Sequence, residues 1–262
     1  MTGLDALDGV PTIPAGLLEP PAGVDLWCFF YDEHLDPARR AAYDALLTDE
    51  ERARHQRFMF ARDRDLFLAT RALVRCALSR YARVAPAAWR FERTEHGKPY
   101  LVGPPSAPEL HFNLSNTYGL VACAVSSTIE RVGVDVENTT RGTDAIEIAD
   151  RFFSELEVKA LRALPEQHHR ERFFSYWTLK ESYIKARGLG LAIPLGHFSF
   201  LLDEAPPIAV VFDPRLEDDP ERWRFRLFNA SDRHTLAVGA DTGGADLGLR
   251  WSPFVPLAET AP

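Results

Sequence analysis

A chain of 262 residues, 46% hydrophobic and 26% charged, has the balance of a globular protein with room for one large or two modest domains. Its net charge of −8 excludes a general nucleic-acid binder, since nothing global would hold a polyphosphate backbone, although a local basic pocket stays open. No apolar run approaches the length of a membrane span, and the stretch MTGLDALDGVPTIPAG carries aspartates where a signal peptide carries basic residues.

Residues 1–23 are rich in Pro and Gly with little periodicity, which predicts a loosely ordered leader. Val24–Tyr31 (VDLWCFFY) reads as a strand, and a helical pattern runs from Pro37 to Leu47. Thr48 then offers an N-cap for a helix over Asp49–Phe60, with acids leading and arginines following. The strongest helix of the first half is Arg62–Tyr81, whose buried stripe includes Leu66, Phe67, Leu73, Val74 and Leu78. Arg54, Arg57, Arg62, Arg64, Arg71 and Arg75 accumulate here in an otherwise acidic chain. A solvated basic face is expected of most of them, with one or two left to line an anion site. Strands follow at Trp89–Arg93 and Tyr100–Val102 around the turn His96–Pro99, then at Glu109–Leu114, Gly119–Ser126 and Val132–Glu137. Cys28, Cys76 and Cys123 lie far apart in apolar patterns, which predicts buried free thiols, a reducing compartment and a cytoplasmic protein.

The second half repeats the order strand, short helices, long helix, strands. Ser154 and Glu157 form a capping box, and strands are expected at Phe198–Leu202, Ile208–Phe212, Trp223–Phe228 and Thr235–Ala240. The expected fold class is therefore α+β, with two similar halves related by a pseudo-twofold and a site at their seam. The boundaries are a leader over 1–23, an N-terminal half over 24–128 and a C-terminal half over 129–262.

Two stretches carry charge where pattern alone does not ask for it. In VGVDVE, Val132, Val134 and Val136 face one way, while Gly133, Asp135 and Glu137 face the other. Two carboxylates on one strand face repel, and a divalent cation with a taste for hard oxygens, such as Mg²⁺, relieves that repulsion. In FFSYWTLKESYIKARGLG, Glu181 stands four residues after Trp177 and four before Lys185, so the three share one side of a helix. A solvent-facing strand edge and a solvated ion pair explain either stretch taken alone. Gly97-Lys98-Pro99 adds a lysine on a tight turn, and Asn113–Thr117 adds hydroxyls, amides and backbone N–H groups suited to oxyanions. Phosphate loops, nucleophile elbows and paired-cysteine motifs are absent from the sequence. The residues alone reach as far as Mg²⁺-dependent phosphoryl chemistry.

In order, GKP at Gly97–Pro99, FNLSNT at Phe112–Thr117, GVDVE at Gly133–Glu137 and WTLKESYIK at Trp177–Lys185 resemble the signature blocks of the 4′-phosphopantetheinyl transferases. Length and layout resemble the larger, monomeric type that activates surfactin-synthetase-like enzymes. The resemblance implies transfer of the phosphopantetheine arm of coenzyme A to a serine of an apo acyl or peptidyl carrier protein, releasing 3′,5′-ADP. It implies Mg²⁺ held by Asp135, Glu137 and Glu181, with Glu181, or a water it orients, as base and Lys185 on the phosphates. Arg54, Lys98, Ser115 and Asn116 match coenzyme A positions, Arg54 through a basic position near the 3′-phosphate. Many relatives have histidine where this chain has Asn116, which can donate a hydrogen bond but carries no positive charge. Lys180 belongs to the motif with no role beyond a local ion pair. The carrier is expected to dock where a helix opens at Arg151–Ser154. Nucleic-acid and membrane partners are not expected. The alternative, a non-catalytic module that binds coenzyme A or a nucleotide, expects a lost acid, and all three acids are present.

Overall fold

A computed structural model describes residues 5–6, 10–140, 142, 144–202 and 207–258. In chain order the elements are β1 (Asp5–Ala6), β2 (Val24–Phe29), α1 (Tyr31–His34), α2 (Pro37–Asp44), α3 (Asp49–Gln56) and α4 (Ala61–Leu78). Then come β3 (Arg90–Arg93), β4 (Pro99–Gly103), β5 (His111–Thr117), β6 (Leu120–Ser126), β7 (Val132–Asn138), α5 (Ala145–Phe152) and α6 (Glu155–Arg162). The chain finishes with α7 (His169–Arg187), β8 (Phe198–Leu201), β9 (Ala209–Phe212), β10 (Trp223–Ser231), β11 (His234–Asp241) and β12 (Leu249–Pro253). No helix among the described residues is long and apolar enough to cross a membrane.

Local chemistry starts the helices where the sequence asks for it. The Thr48 hydroxyl accepts the Glu51 N–H at 3.2 Å and the Glu51 carboxylate accepts the Thr48 N–H at 3.0 Å, so α3 opens with both halves of a capping box. Ser154 and Glu157 do the same for α6. Gly188, with φ of 68°, ends α7 in the left-handed conformation that a side chain would disfavour.

The chain forms two compact units, one of Val10–Glu130 with Gly248–Pro262 and one of Arg131–Leu247 with Met1–Gly9. In the first, a four-stranded sheet runs β12-β2-β6-β5, with β12 parallel to β2 and the other pairs antiparallel. The apolar face of α4 (Leu68, Ala69, Ala72, Leu73, Val74, Ala77, Leu78) is buried in its core with Trp27, Phe29, Tyr43 and Val121. In the second, the sheet runs β1-β10-β11-β7, again with one parallel edge pair, β1 with β10. Its core is aromatic: Phe153, Phe173, Tyr176, Tyr183, Phe198, Phe200, Trp223 and Phe225. Each unit is α+β, as the sequence predicts.

The ends of the chain depart from expectation. The sequence pattern puts residues 248–262 in the second half, yet β12 completes the sheet of the first unit in register Arg250↔Asp25. A buried ionic latch explains the choice: Arg250 donates two bonds to Asp25, at 2.7 and 2.8 Å, and Asp25 also accepts the Tyr81 hydroxyl at 2.7 Å. Residues 1–4 and 7–9 of the expected leader lie outside the described residues. The remainder is tied down: Ile13 is buried and donates its N–H to the Trp251 carbonyl at 2.9 Å, and Leu18 bonds the Arg80 carbonyl.

Cys28, Cys76 and Cys123 are free and buried, as expected. Burial pushes the thiols of Cys28 and Cys76 up to about 12 and that of Cys123 higher still. A thiol reagent at mildly alkaline pH should therefore label none of the three cysteines in the native protein and all of them after unfolding. Rapid labelling of the native chain would contradict this packing.

Candidate active site

The site is built where α7 lies across β7. The face of β7 carrying Gly133, Asp135 and Glu137 is not solvent-facing, as its alternation suggested. It is the face on which the helix rests, and Asp135 is only 4% exposed. Gly133 permits the contact, for a Cβ there would sit 2.0 Å from the Ser182 carbonyl oxygen and 2.5 Å from the Ala186 nitrogen. The helix is also more deeply buried than a single apolar stripe implies. From Phe173 to Ala186 every residue is buried except Trp177, Glu181 and Lys185. The i, i+4, i+8 row picked out by the sequence is thus the one open stripe between Phe173 and Ala186.

That stripe meets the strand acids. The Lys185 ammonium donates to Asp135 Oδ1 at 2.6 Å, and the Trp177 indole N–H donates to Glu137 Oε1 at 3.2 Å. Burial, and then the charge of Asp135, raise the Glu181 carboxyl above its usual range, with Lys185 opposing. Such a shift marks two carboxylates forced to share a partly desolvated space. Their oxygens are the donors Mg²⁺ prefers. Among the described residues, however, no three acidic, histidine or cysteine side chains are gathered into a finished metal cage. Below the acids, Arg187 bonds the Tyr183 hydroxyl, and Asp218 accepts from Arg187, from Tyr183 at 2.7 Å and from the Trp223 indole at 3.0 Å. This anchors the last turn of α7, where Lys185 stands.

The remaining predicted positions lie in the first unit. Lys98 follows the turn closed by Gly97, whose N–H bonds the Thr94 carbonyl at 2.8 Å. Ser115 and Asn116 are neighbours on β5 and point to opposite faces, Ser115 buried and Asn116 exposed. A ligand on one face therefore meets only one of these two side chains. Arg54 lines a cavity of about 540 Å³ that also contains Pro99, the residue after Lys98. Five arginines and three glutamates line it, a surplus of two positive charges.

Arg54, Arg57 and Arg62 are exposed, as expected of most arginines here, whereas Arg71 and Arg75 are drawn into the cavity wall. Arg75 is 1% exposed, bonds Glu51 and the Trp89 carbonyl at 2.7 Å each, and stacks on Phe91. Arg71 stacks on Phe67 and lies 3.3 Å from Glu51. Burial, with the charges of Arg93, Arg75 and Arg54, holds the Arg71 guanidinium below its usual value while Glu51 opposes. Glu51 is held below the ordinary carboxylate range against the upward push of burial, by the Thr48 N–H, Arg75 and Arg71. One carboxylate thus serves two guanidinium groups, and the cavity keeps a surplus of positive charge suited to an anion. Arg93 and Glu51 escaped the sequence reading. Glu51 was legible as the third helical residue after Thr48, whereas Arg93 reaches the cavity only through the pairing of β3 with β4.

Residues 131–239 match the family model described as 4′-phosphopantetheinyl transferase superfamily, and residues 37–128 match 4′-phosphopantetheinyl transferase, N-terminal. The chain is 33% identical over 211 residues to a 4′-phosphopantetheinyl transferase of Bacillus subtilis, covering 80% of this chain and 89% of that one. It is 33% identical over 244 residues to a phosphopantetheinyl transferase of Thraustochytrium sp., covering 87% and 82%. It is also similar to the L-aminoadipate-semialdehyde dehydrogenase-phosphopantetheinyl transferase of Xenopus laevis, at 31% over 227 residues, covering 81% and 72%.

Proposed function

The chain belongs to the 4′-phosphopantetheinyl transferase superfamily, and on that premise we propose that it moves the phosphopantetheine arm of coenzyme A to a serine of an apo acyl or peptidyl carrier protein. The serine oxygen forms a bond to the phosphorus bearing the pantetheine arm. The bond from that phosphorus to the bridging oxygen breaks, 3′,5′-ADP leaves with the electron pair, and the serine proton passes to Glu181. One observation carries this reading: the open row in the middle of α7 sets Glu181 and Lys185 beside a strand bearing Asp135 and Glu137.

In this reading Asp135, Glu137 and Glu181 hold Mg²⁺, which when bound supplies charge neutralisation at the pyrophosphate. Glu181, set beside Asp135 in a partly desolvated space, is the carboxylate that accepts the serine proton. Lys185 offers its ammonium to the phosphate oxygens, where leaving-group charge grows. Lys98 and one of the pair Ser115 and Asn116 contact coenzyme A, and the arginine cavity around Arg54 takes its phosphomonoester, supported by the surplus of positive charge there. The protein works as a monomer in the cytoplasm, a setting consistent with its buried free thiols. Incubation with coenzyme A, Mg²⁺ and an apo carrier should add the phosphopantetheine mass to the carrier. No mass increase with carriers of either class would sink the reading.

Glu181 and Lys185 should fail differently. Glu181→Gln should depress kcat strongly and raise the Mg²⁺ requirement. Lys185→Ala should raise the coenzyme A KM and lower kcat together, a combined loss of about a hundredfold for one such donor. Lys185→Arg should recover only part, because a planar guanidinium does not fill an ammonium's place. Alanine variants with unchanged kinetics but lower melting temperatures would reduce the pair to a structural ion pair.

Carrier docking is the third element of the proposal. Arg151 and Phe152 close α5 instead of opening a helix, and Ser154 caps α6. Phe152 is 41% exposed with the Arg151 guanidinium stacked on it, and Leu156 is 55% exposed, whereas Phe153 turns into the core. This corner supplies an apolar surface edged by a cation. Arg151→Glu should raise the carrier KM about tenfold, the equivalent of roughly 1.4 kcal/mol, while sparing the coenzyme A KM. An unchanged carrier KM would move the dock elsewhere.

A further inference from the structure

The α5–α6 corner is fastened to α7 by a buried polar knot that the proposed chemistry does not use. Lys180 and Glu157 have side chains with no solvent exposure, and the ammonium stands 2.7 Å from Glu157 Oε2. Its other two protons go to the carbonyl oxygens of Leu195 at 2.7 Å and Phe198 at 2.6 Å. Every ammonium proton is therefore satisfied, and the group also lies 4.2 Å from the centre of the Phe198 ring and 5.6 Å from that of Phe153. Glu157 is as fully employed. It accepts the N–H and hydroxyl of Ser154 at 3.2 and 3.0 Å and, through Oε1, the Phe200 N–H at 3.0 Å. Ser199 bonds the Ser154 hydroxyl at 2.7 Å. The motif lysine thus has no local partner on its own helix. It joins α7 to the cap of α6 and to the start of β8.

A fully buried ion pair is a poor investment in stability, since apolar residues of similar volume often do as well or better. What such a pair offers is a single allowed geometry. Here it fixes the corner bearing Arg151 and Phe152 to the helix bearing Glu181, with Phe153 stacked on Phe173 at 5.3 Å and edge-on to Tyr176 at 6.0 Å as the apolar part of the same joint. Lys180 and Glu181 are consecutive, so the joint and the proposed base turn together.

We infer that Lys180 and Glu157 are positioning residues that hold the carrier-docking corner in fixed register with Glu181. This inference rests on the reading of the corner as the dock. A serine delivered at the corner is then presented at the distance and angle that the base requires. The joint acts on the carrier and leaves coenzyme A binding alone.

The test is Lys180→Met combined with Glu157→Gln. The glutamine amide oxygen still accepts the Phe200 N–H and its NH2 gives up the bond from the Ser154 N–H, while the Ser154 hydroxyl still accepts the residue-157 N–H; methionine fills the lysine's volume, and no buried charge is left unpaired. The lost hydrogen bonds should lower the melting temperature, so kinetics are read where the variant is fully native, and there the coenzyme A KM should not change. For an apo peptidyl carrier domain, kcat/KM should fall by roughly tenfold to a hundredfold, the scale of an ångström-sized misplacement. A double variant with parental carrier kinetics would overturn the inference and leave the pair a structural element. If the double variant does not fold, Glu157→Gln alone, in which Lys180 keeps both carbonyl bonds, should raise the carrier KM several-fold at a temperature where it is fully native. An unchanged carrier KM there overturns the inference equally. Arg151→Glu separates this inference from the reading beneath it. If Arg151→Glu raises the carrier KM and the pair variant does not, the dock stands and the joint falls. If Arg151→Glu has no effect, the dock falls and takes the joint with it.

Discussion

Adding one methyl group at Gly133 is expected to disable the protein. The new Cβ would sit 2.0 Å from the Ser182 carbonyl oxygen and 2.5 Å from the Ala186 nitrogen, both backbone atoms of α7, so no rotamer change can relieve the clash. Either the helix lifts off the strand or the strand buckles. Overpacking a well-filled interior costs about 1–3 kcal/mol and occasionally more, and rigid neighbours put this case at the upper end. In a chain of this size, about 3 kcal/mol lowers the melting temperature by roughly 6–12 °C. Activity should suffer more than stability, since lifting α7 separates Glu181 and Lys185 from Asp135, and an ångström of misplacement costs roughly a hundredfold. Gly142→Ala is the matched control, with nothing within 4 Å of the added carbon. Normal melting and normal turnover in Gly133→Ala would show that helix and strand are not in this contact.

Asp135→Ala should abolish transfer while leaving the fold in place. The carboxylate is buried, bonds Lys185 directly and helps push Glu181 up, so its removal takes away a proposed metal ligand, the counter-charge of Lys185 and a neighbour of the proposed base at once. Loss of a single stabilising group of this kind costs about a hundredfold to a thousandfold in kcat, and the triple role places Asp135 at the far end of that range. Glu137→Gln should be milder, because Glu137 is half-exposed and Mg²⁺ accepts water in place of one carboxylate. Carrier mass analysis with Mg²⁺ as the only metal reads the activity, and thermal melting reads the fold. Turnover in Asp135→Ala at a tenth of the parental rate or better would remove the proposed metal site.

Short-range chemistry made most of the elements legible. Thr48 as an N-cap and Ser154 with Glu157 as a capping box announced their helices, Gly188 announced the end of α7, and alternating or apolar runs placed β5, β6 and β7. The row Trp177, Glu181, Lys185 was visible as spacing, and so was the pair Asp135 and Glu137. What spacing could not convey was which face the helix would cover. Alternation marks Asp135 as lying opposite the valines, and only the absence of a side chain at Gly133 hints that a backbone comes close. Lys180 was opaque for a related reason: its partners are a carboxylate 23 positions earlier and two carbonyls beyond the next turn. Strand β12 escaped because LRWSP contains too few residues to alternate persuasively, and its partner lies at the other end of the sequence.

The crossed termini also bear on how the molecule can be taken apart. A cut after Glu130 would not release two modules. The fragment 1–130 would lack β12, leaving the β2 edge open and Asp25 buried without its guanidinium, and would still carry Asp5–Ala6, which pair in the other sheet. The fragment 131–262 would carry β12 with no β2 to receive it. Each piece would expose unpaired backbone of the kind that recruits foreign strands, so each expressed alone should aggregate. Mixed during refolding, each would hold the strand the other needs, which makes this chain a natural split protein whose reassembly is reported by the restored enzyme.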